Sequence, residues 1–340
     1  MVLGFWDLDV PIVGAPMAGG PGTPALAAAV SNAGGLGFLA SGYVTADRLA
    51  DDVTAARAAT SGPIGVNLFV PQPSVADVYQ LDYYADALDE LAEHYGVEIG
   101  HPRFGDDDGF QQKLEVVADL RPEMVSFTFG APSPDVMRWF GALGMLLFVT
   151  VTSAYEAGVA LAAGADGLVV QGPNAGGHRG TFAPDMDPGR ESLHALLARI
   201  RSAHDVPLIA AGGLGTPEDV AAVMNRGAVA AQIGTGLLLS DEAGTNAAHR
   251  AALQHPEFVK TVVTRAFSGR YARGLENDFT RLFDEIAPLG YPEVNQMTSP
   301  IRKASVALED PHGTNLWAGT AYREARSGPA KDIVKTLGDV

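Results

Sequence analysis

Gly176-Gly177-His178-Arg179-Gly180 is where side-chain chemistry and backbone freedom coincide in this sequence. Histidine is the side chain whose proton affinity lies nearest neutral pH, so at a ligand site it can take a proton as imidazole or hold an anion as imidazolium. Two glycines before it let the main chain approach a ligand closely, and the Arg-Gly after it excludes a packed helix face. His178 is therefore the candidate catalytic residue. The apolar run at 168–170, bounded by glycines, reads as a buried strand that delivers this loop.

Two further glycine-rich stretches, Ala211-Gly212-Gly213-Leu214-Gly215 and Gln232-Ile233-Gly234-Thr235-Gly236, expose backbone N–H groups suited to a phosphate. A helix beginning near Thr216 would add the positive end of its dipole. The lysines, at 113, 260, 303, 331 and 335, all fall off the strand ends, which leaves the anion to the backbone and excludes a Schiff-base aldolase. Asn67 is an amide in an apolar strand and must find hydrogen-bond partners, either by tying down a loop or by meeting a ligand. With Gln171 it could read a heteroaromatic ring against an apolar wall of Ala15, Pro16 and Met17. Flavin mononucleotide (FMN) fits that inventory. A dinucleotide does not, because no G-x-G-x-x-G opens an early βα unit.

The elements that must carry these residues alternate. Strands are predicted at 11–19 (broken at Pro16), 35–40, 64–70, 124–129, 145–151, 168–171, a run from Val206, and 228–233. Helices follow at 25–32, 45–60, 110–120, from Pro134, 153–163, 191–203, and after Thr216, whose cap, Pro217 and two acids mark a helix start. Eight near-continuous apolar runs separated by helices predict an α/β fold, a (β/α)₈ TIM-type barrel, with the active face at the carboxyl ends of the strands.

The rhythm lapses at 71–109, read as an insertion with a helix at 75–94 and a solvated acidic run, Asp106-Asp107-Asp108, that lacks metal-ligand spacing. The expected division is a cofactor-binding barrel at 1–236, a helical substrate or lid region at 237–312 over the barrel mouth, and a return to the barrel at 313–340. Arg270 and Arg273 either steer an anionic substrate or, as arginines flanking Tyr271 more often do, form surface or helix-end ion pairs. Trp317 and Tyr322 either line the pocket or seal the appended helices. His194, His204, His249 and His255 read as helix-surface residues.

With 340 residues and 47% apolar content, the chain can bury a large core. A net charge of -17, from 23 basic and 40 acidic residues, works against nucleic acid as a partner. The absence of cysteine excludes thiol nucleophiles, iron–sulfur ligation and disulfides. The acidic N-terminal segment, with Asp7 and Asp9, is no secretory signal, and the longest apolar tract, 143–151, is too short for a bilayer. A cytoplasmic monomer or homodimer acting on a small molecule, with no membrane partner, is expected.

Ala15-Pro16-Met17-Ala18-Gly19, the loop 171–180, Ala210-Ala211-Gly212-Gly213, Gln232-Ile233-Gly234-Thr235, Phe267-Ser268-Gly269-Arg270-Tyr271-Ala272-Arg273-Gly274 and Leu316-Trp317-Ala318-Gly319 together resemble the class I nitronate monooxygenases, formerly 2-nitropropane dioxygenases. The resemblance covers nearly the whole chain. It implies FMN at the barrel mouth, contacted by Asn67, Gln171, Gly176, Gly213 and residues 232–235, with His178 catalytic. It implies oxidation of an alkyl nitronate by O₂ to a carbonyl compound and nitrite, His178 acting as base toward a neutral nitroalkane or as anion holder. Asn174 and Thr320 stand where many relatives have Glu and Gln, departures that bear on substrate preference. The alternatives are an FMN-dependent enoyl-acyl-carrier-protein reductase using NADH and a flavin-binding protein without turnover.

Overall fold

The computed structural model describes residues 8–340, so residues 1–7, part of the segment read for targeting, lie outside the described residues. Eleven strands occur in them: β1 (Ile12–Gly14), β2 (Gly37–Ala40), β3 (Ile64–Phe69), β4 (Met124–Thr128), β5 (Leu146–Val151), β6 (Gly167–Gln171), β7 (Gly177–His178), β8 (Leu208–Ala211), β9 (Ala230–Ile233), β10 (Thr261–Thr264) and β11 (Ala272–Leu275). Eight of them form one parallel sheet in the order β1-β9-β8-β6-β5-β4-β3-β2. Its two ends meet: Gly14 N–H donates to Leu36 O at 2.9 Å and Leu36 N–H to Ile12 O at 3.0 Å. The fold is a TIM-type barrel.

Around it run α1 (Pro24–Asn32), α2 (Ala46–Ala59), α3 (Val78–His94), α4 (Phe110–Leu120), α5 (Pro134–Ala142), α6 (Ala154–Ala163), α7 (Leu193–Ala203) and α8 (Pro217–Met224). Their starts follow local chemistry. Thr23, Thr45, Ser133, Ser153, Ser192 and Thr216 each accept a backbone N–H at a helix N-terminus. Inside the barrel, Phe38 and Phe148 fill space left by glycine: a Cβ on Gly65 would come 2.4 Å from the Phe38 ring, and one on Gly167 2.3 Å from Phe148. Large side chains here therefore require small ones on the adjacent strand, as close packing demands.

Beyond the barrel come α9 (Ala247–Gln254), α10 (Asp278–Phe283), α11 (Glu293–Ala307) and α12 (Ala330–Leu337). The last packs on α1 and α8 and completes the helical ring. The stretch at 237–312 is not wholly helical: β10 and β11 pair antiparallel, and β11 pairs in turn with β7. Nor is the insertion separate from it. Leu81, Tyr84 and Leu88 of α3 share one buried cluster with Phe267, Phe279, Met297 and Ile301, so insertion and appended region form a common second core.

The acidic run closing the insertion is structural rather than merely solvated. Asp108 Oδ2 lies 2.6 Å from Lys113 Nζ, and Lys113 is 1% exposed. The ammonium also donates to Ser41 O at 2.8 Å, while Asp108 Oδ1 accepts the Tyr43 N–H at 3.2 Å. A lysine buried this deeply needs both partners to satisfy its donors away from water. Their joint effect is to fix Tyr43, at φ 68°, beside the barrel mouth. No described helix is long and apolar enough to cross a membrane.

Candidate active site

A cleft of about 1180 Å³ opens at the carboxyl ends of the barrel strands. Ala15, Pro16 and Met17 form one wall, and Asn67, Gln171, Gln232 and Thr235 project from strand ends around it. Gly176, Gly177, Gly212, Gly213 and Gly234 line it with backbone, and His178 stands over it. Ile233 alone among the sequence candidates does not line the cleft. Its side chain is 1% exposed in the barrel core, and its carbonyl accepts the Ala15 N–H at 2.8 Å.

His178 is on a strand rather than a free loop, because β7 pairs with β11 and Arg179 N–H donates to Tyr271 O at 2.8 Å. Gln171 braces it from below: Nε2 donates to His178 O at 3.0 Å and Oε1 accepts the Gly180 N–H at 2.9 Å. That amide thus already has partners on both atoms. Asn67 Nδ2 likewise bonds Ser126 Oγ at 2.9 Å and Thr128 Oγ1 at 3.0 Å, and among the described residues its carbonyl oxygen has no hydrogen-bond partner. Aromatic rings enclose the imidazole. Tyr291 and Trp317 each lie 5.5 Å from it and Phe129 6.0 Å, and the Tyr291 hydroxyl donates to that of Tyr43 at 3.0 Å.

Beneath this cage lie two buried cations that the sequence reading placed at the surface or did not assign. Arg270 is 1% exposed; its guanidinium stacks 3.9 Å from the Phe129 ring centroid and bonds the carbonyls of Arg179 and Thr181. Arg179, 2% exposed, bonds Gly172 O and Gln171 O. Arg273, on β11, bonds Pro173 O at 3.0 Å and Thr261 Oγ1 at 3.0 Å, and is no surface ion pair either. Burial foremost, then the charges of Arg270 and Arg302, lower the His178 pKa to about 3. Both causes favour the neutral imidazole.

The glycine turns form a backbone cradle. Among the described residues the Gly213 and Gly234 N–H groups have no acceptor, and a Cβ on Gly213, at φ 76°, would meet Asn174 Cβ at 2.8 Å. A phosphate fits such paired, unobstructed donors. The α8 N-terminus is not part of it: Asp219 Oδ2 already accepts the N–H groups of Gly215 at 3.0 Å and Thr216 at 3.1 Å. Among the described residues, no cluster of three or more His, Asp or Glu could hold a metal ion.

A family model described as nitronate monooxygenase matches residues 5–339. The chain belongs to the nitronate monooxygenase family. It is an oxidoreductase. A nitronate monooxygenase of Pseudomonas aeruginosa is 37% identical over 342 residues, spanning 97% of this chain and 95% of that protein. One from Paraburkholderia phytofirmans is 37% identical across 99% of this chain and 93% of its own. A solved nitroalkane oxidase from Streptomyces ansochromogenes, 44% identical, superposes with a TM-score of 0.93 over 97% of this chain and 95% of that one. FabK from Thermotoga maritima is more distant, at 25% identity and a TM-score of 0.76 over 98% and 93%.

The two departures from the family pattern prove to be neighbours. Thr320 N–H donates to Asn174 O at 3.1 Å, and both side chains border Gly213 without lining the cleft. They bear on the cradle rather than on the space before His178. Of the two undecided aromatics, Trp317 lines the cleft, whereas the Tyr322 hydroxyl donates to Phe258 O at 2.8 Å and seals the appended region.

His249 differs from the surface reading: it is 4% exposed, lines the cleft, and has its pKa lowered to about 4 by burial. The signal was present in its spacing, since Ala248, Ala252 and Leu253 share the buried face of α9. For both His178 and His249 the folded pKa lies below the unfolded 6.5. The unfolded chain therefore binds more protons below that pH, and stability present above it is lost as pH falls toward 4 and then 3. Urea unfolding at pH 7 and pH 5 should show the enzyme weaker at pH 5 by roughly 1 kcal/mol or more per histidine, from about 1.4 kcal/mol per pK unit. His249→Gln should remove part of that difference; an unchanged midpoint in the parent would mean that both rings titrate normally.

Proposed function

We propose that the enzyme binds FMN in the barrel mouth and oxidises alkyl nitronates with O₂ to carbonyl compounds and nitrite. The carrying observation is the juxtaposition of a backbone anion cradle at Gly213 and Gly234 with an imidazole over the same cleft. The phosphate would lie on the cradle with Thr235 beside it, and the ring system against Ala15, Pro16 and Met17, within reach of Asn67 and Gln232. When bound, FMN supplies the one-electron chemistry toward nitronate and O₂, which no side chain here offers.

The chain's own residues hold and shield the reactants. His178 takes the α-proton of a neutral nitroalkane as imidazole, or faces the nitronate once protonated. Tyr43, Phe129, Tyr291 and Trp317 exclude water from the space before it, which strengthens every charge interaction there. In this reading residues 1–236 carry the cofactor, 237–312 cover it together with the insertion, and 313–340 close the barrel.

The purified protein should be yellow and release FMN on denaturation, and it should consume O₂ with nitrite formation when given propionate 3-nitronate. NADH oxidation dependent on an enoyl thioester would instead favour the reductase reading, to which the FabK likeness lends its fold. Bound flavin that nitronate fails to reduce under anaerobic conditions would make it a binding protein.

A further inference from the structure

Ser268 stands behind His178 where a catalytic histidine commonly has a carboxylate. Its Oγ is 2.8 Å from His178 Nε2, and the same hydroxyl donates to Arg270 O at 3.2 Å. A hydroxyl has a single proton. With that proton directed at a carbonyl, which only accepts, Oγ is left to accept from Nε2–H. Among the described residues Nδ1 has no hydrogen-bond partner, and it belongs to a ring lining the cleft.

The arrangement is rigid. Ser268 is 1% exposed, and the turn carrying it is closed by Ser268 N–H and Gly269 N–H on Arg265 O, at 3.1 and 2.8 Å. Gly269, at φ 74°, presses on the residue before Tyr291: a Cβ there would come 2.4 Å from Gly290 O. From the other side, Thr298 Oγ1 of α11 donates to Phe267 O at 2.6 Å. Both the appended helix and the cleft wall thus hold the hydroxyl in place.

We infer that Ser268 is a positioning residue that fixes the Nε2–H tautomer of His178 and so presents a bare Nδ1 lone pair to the substrate. The inference deepens the proposed function and rests on it. A bare lone pair suits a C–H acid better than a preformed anion, whose oxygens it would repel. In the step served, the α C–H bond of a neutral nitroalkane breaks, its electron pair becomes the C=N π bond of the nitronate as the N=O π pair moves onto oxygen, and the proton goes to Nδ1. One neutral pair becomes one ion pair, with no electron gained or lost. Because no carboxylate among the described residues is hydrogen-bonded to the ring, the imidazolium so formed is stabilised by the nitronate in front of it rather than by a group behind.

The test compares Ser268→Ala and Ser268→Thr with the parent in two measurements. By ¹⁵N NMR of the purified protein, with His178→Gln used to assign the signal, the parent and Ser268→Thr should show a protonated Nε2 and a bare Nδ1, and Ser268→Ala a mixture of tautomers. By kinetics, Ser268→Ala should lose about 10²-fold in kcat/KM on nitroethane, within the worth of a correctly oriented base, and less than about threefold on ethyl nitronate. Ser268→Thr should restore most of it. A protonated Nδ1 in the parent, equal losses on both substrates, or no rescue by threonine would overturn the assignment. A flavin-free protein inert toward both substrates would instead sink the proposed function, while the NMR result would still decide the tautomer.

Discussion

Replacing His178 by alanine is expected to lower turnover of a neutral nitroalkane by roughly 10²- to 10⁴-fold, the range contributed by a positioned general base. The loss on a preformed nitronate should be smaller, because that substrate arrives already deprotonated. Two features set the asymmetry. Burial first, then the charges of Arg270 and Arg302, favour the neutral form of the ring, so a nitrogen lone pair is available in the neutral range although the imidazolium formed there needs the product anion beside it. Among the described residues it also has no acidic partner, so what it offers an incoming anion is weak until it has been protonated. Parallel kcat/KM measurements on nitroethane and its nitronate would check this, with flavin content measured on each preparation. Unchanged rates on both substrates would return His178 to a structural role.

Gly213→Asp is expected to weaken FMN binding by about 10²- to 10³-fold, giving a largely colourless preparation with an intact barrel. At φ 76° a non-glycine residue carries roughly 1–2 kcal/mol of strain, and its Cβ would crowd Asn174 Cβ at 2.8 Å. The added carboxylate would oppose the phosphate at close range, where like charges cost several kcal/mol. Flavin titration followed by fluorescence measures the change, and circular dichroism reports the fold. Full retention of flavin would mean that the phosphate is held elsewhere. Gly177, also at positive φ (73°), offers a control on strain, since a Cβ there meets nothing within 4 Å.

Much of this architecture was legible in the chain. The eight barrel strands are short apolar runs, several of which run into glycines or amides at their carboxyl ends, and period and punctuation suffice to find them. The three-stranded antiparallel sheet was not found. Thr261–Thr264 is a β-branched run that could have signalled a strand, but Ala272–Leu275 has no such bias and Gly177–His178 is only two residues long. Strands that short exist through their partners rather than through propensity.

The same division applies to the site. Local sequence determined that a histidine follows two glycines at the end of a buried strand, that two other strands end in glycine turns, and that no cysteine or strand-end lysine competes for the chemistry. Tertiary structure decided what surrounds them. Ser268 is 90 positions from His178, Arg270 reaches back 91 positions to Arg179 O, and Tyr43 meets Tyr291 across 248. A hydrogen bond between such residues leaves no period in the chain, because its geometry depends on how the insertion and the appended region dock over the barrel. Arginine illustrates the point: its composition-level reading is a solvated ion pair, whereas Arg270 is buried against the carbonyl groups of Arg179 and Thr181 and the face of Phe129.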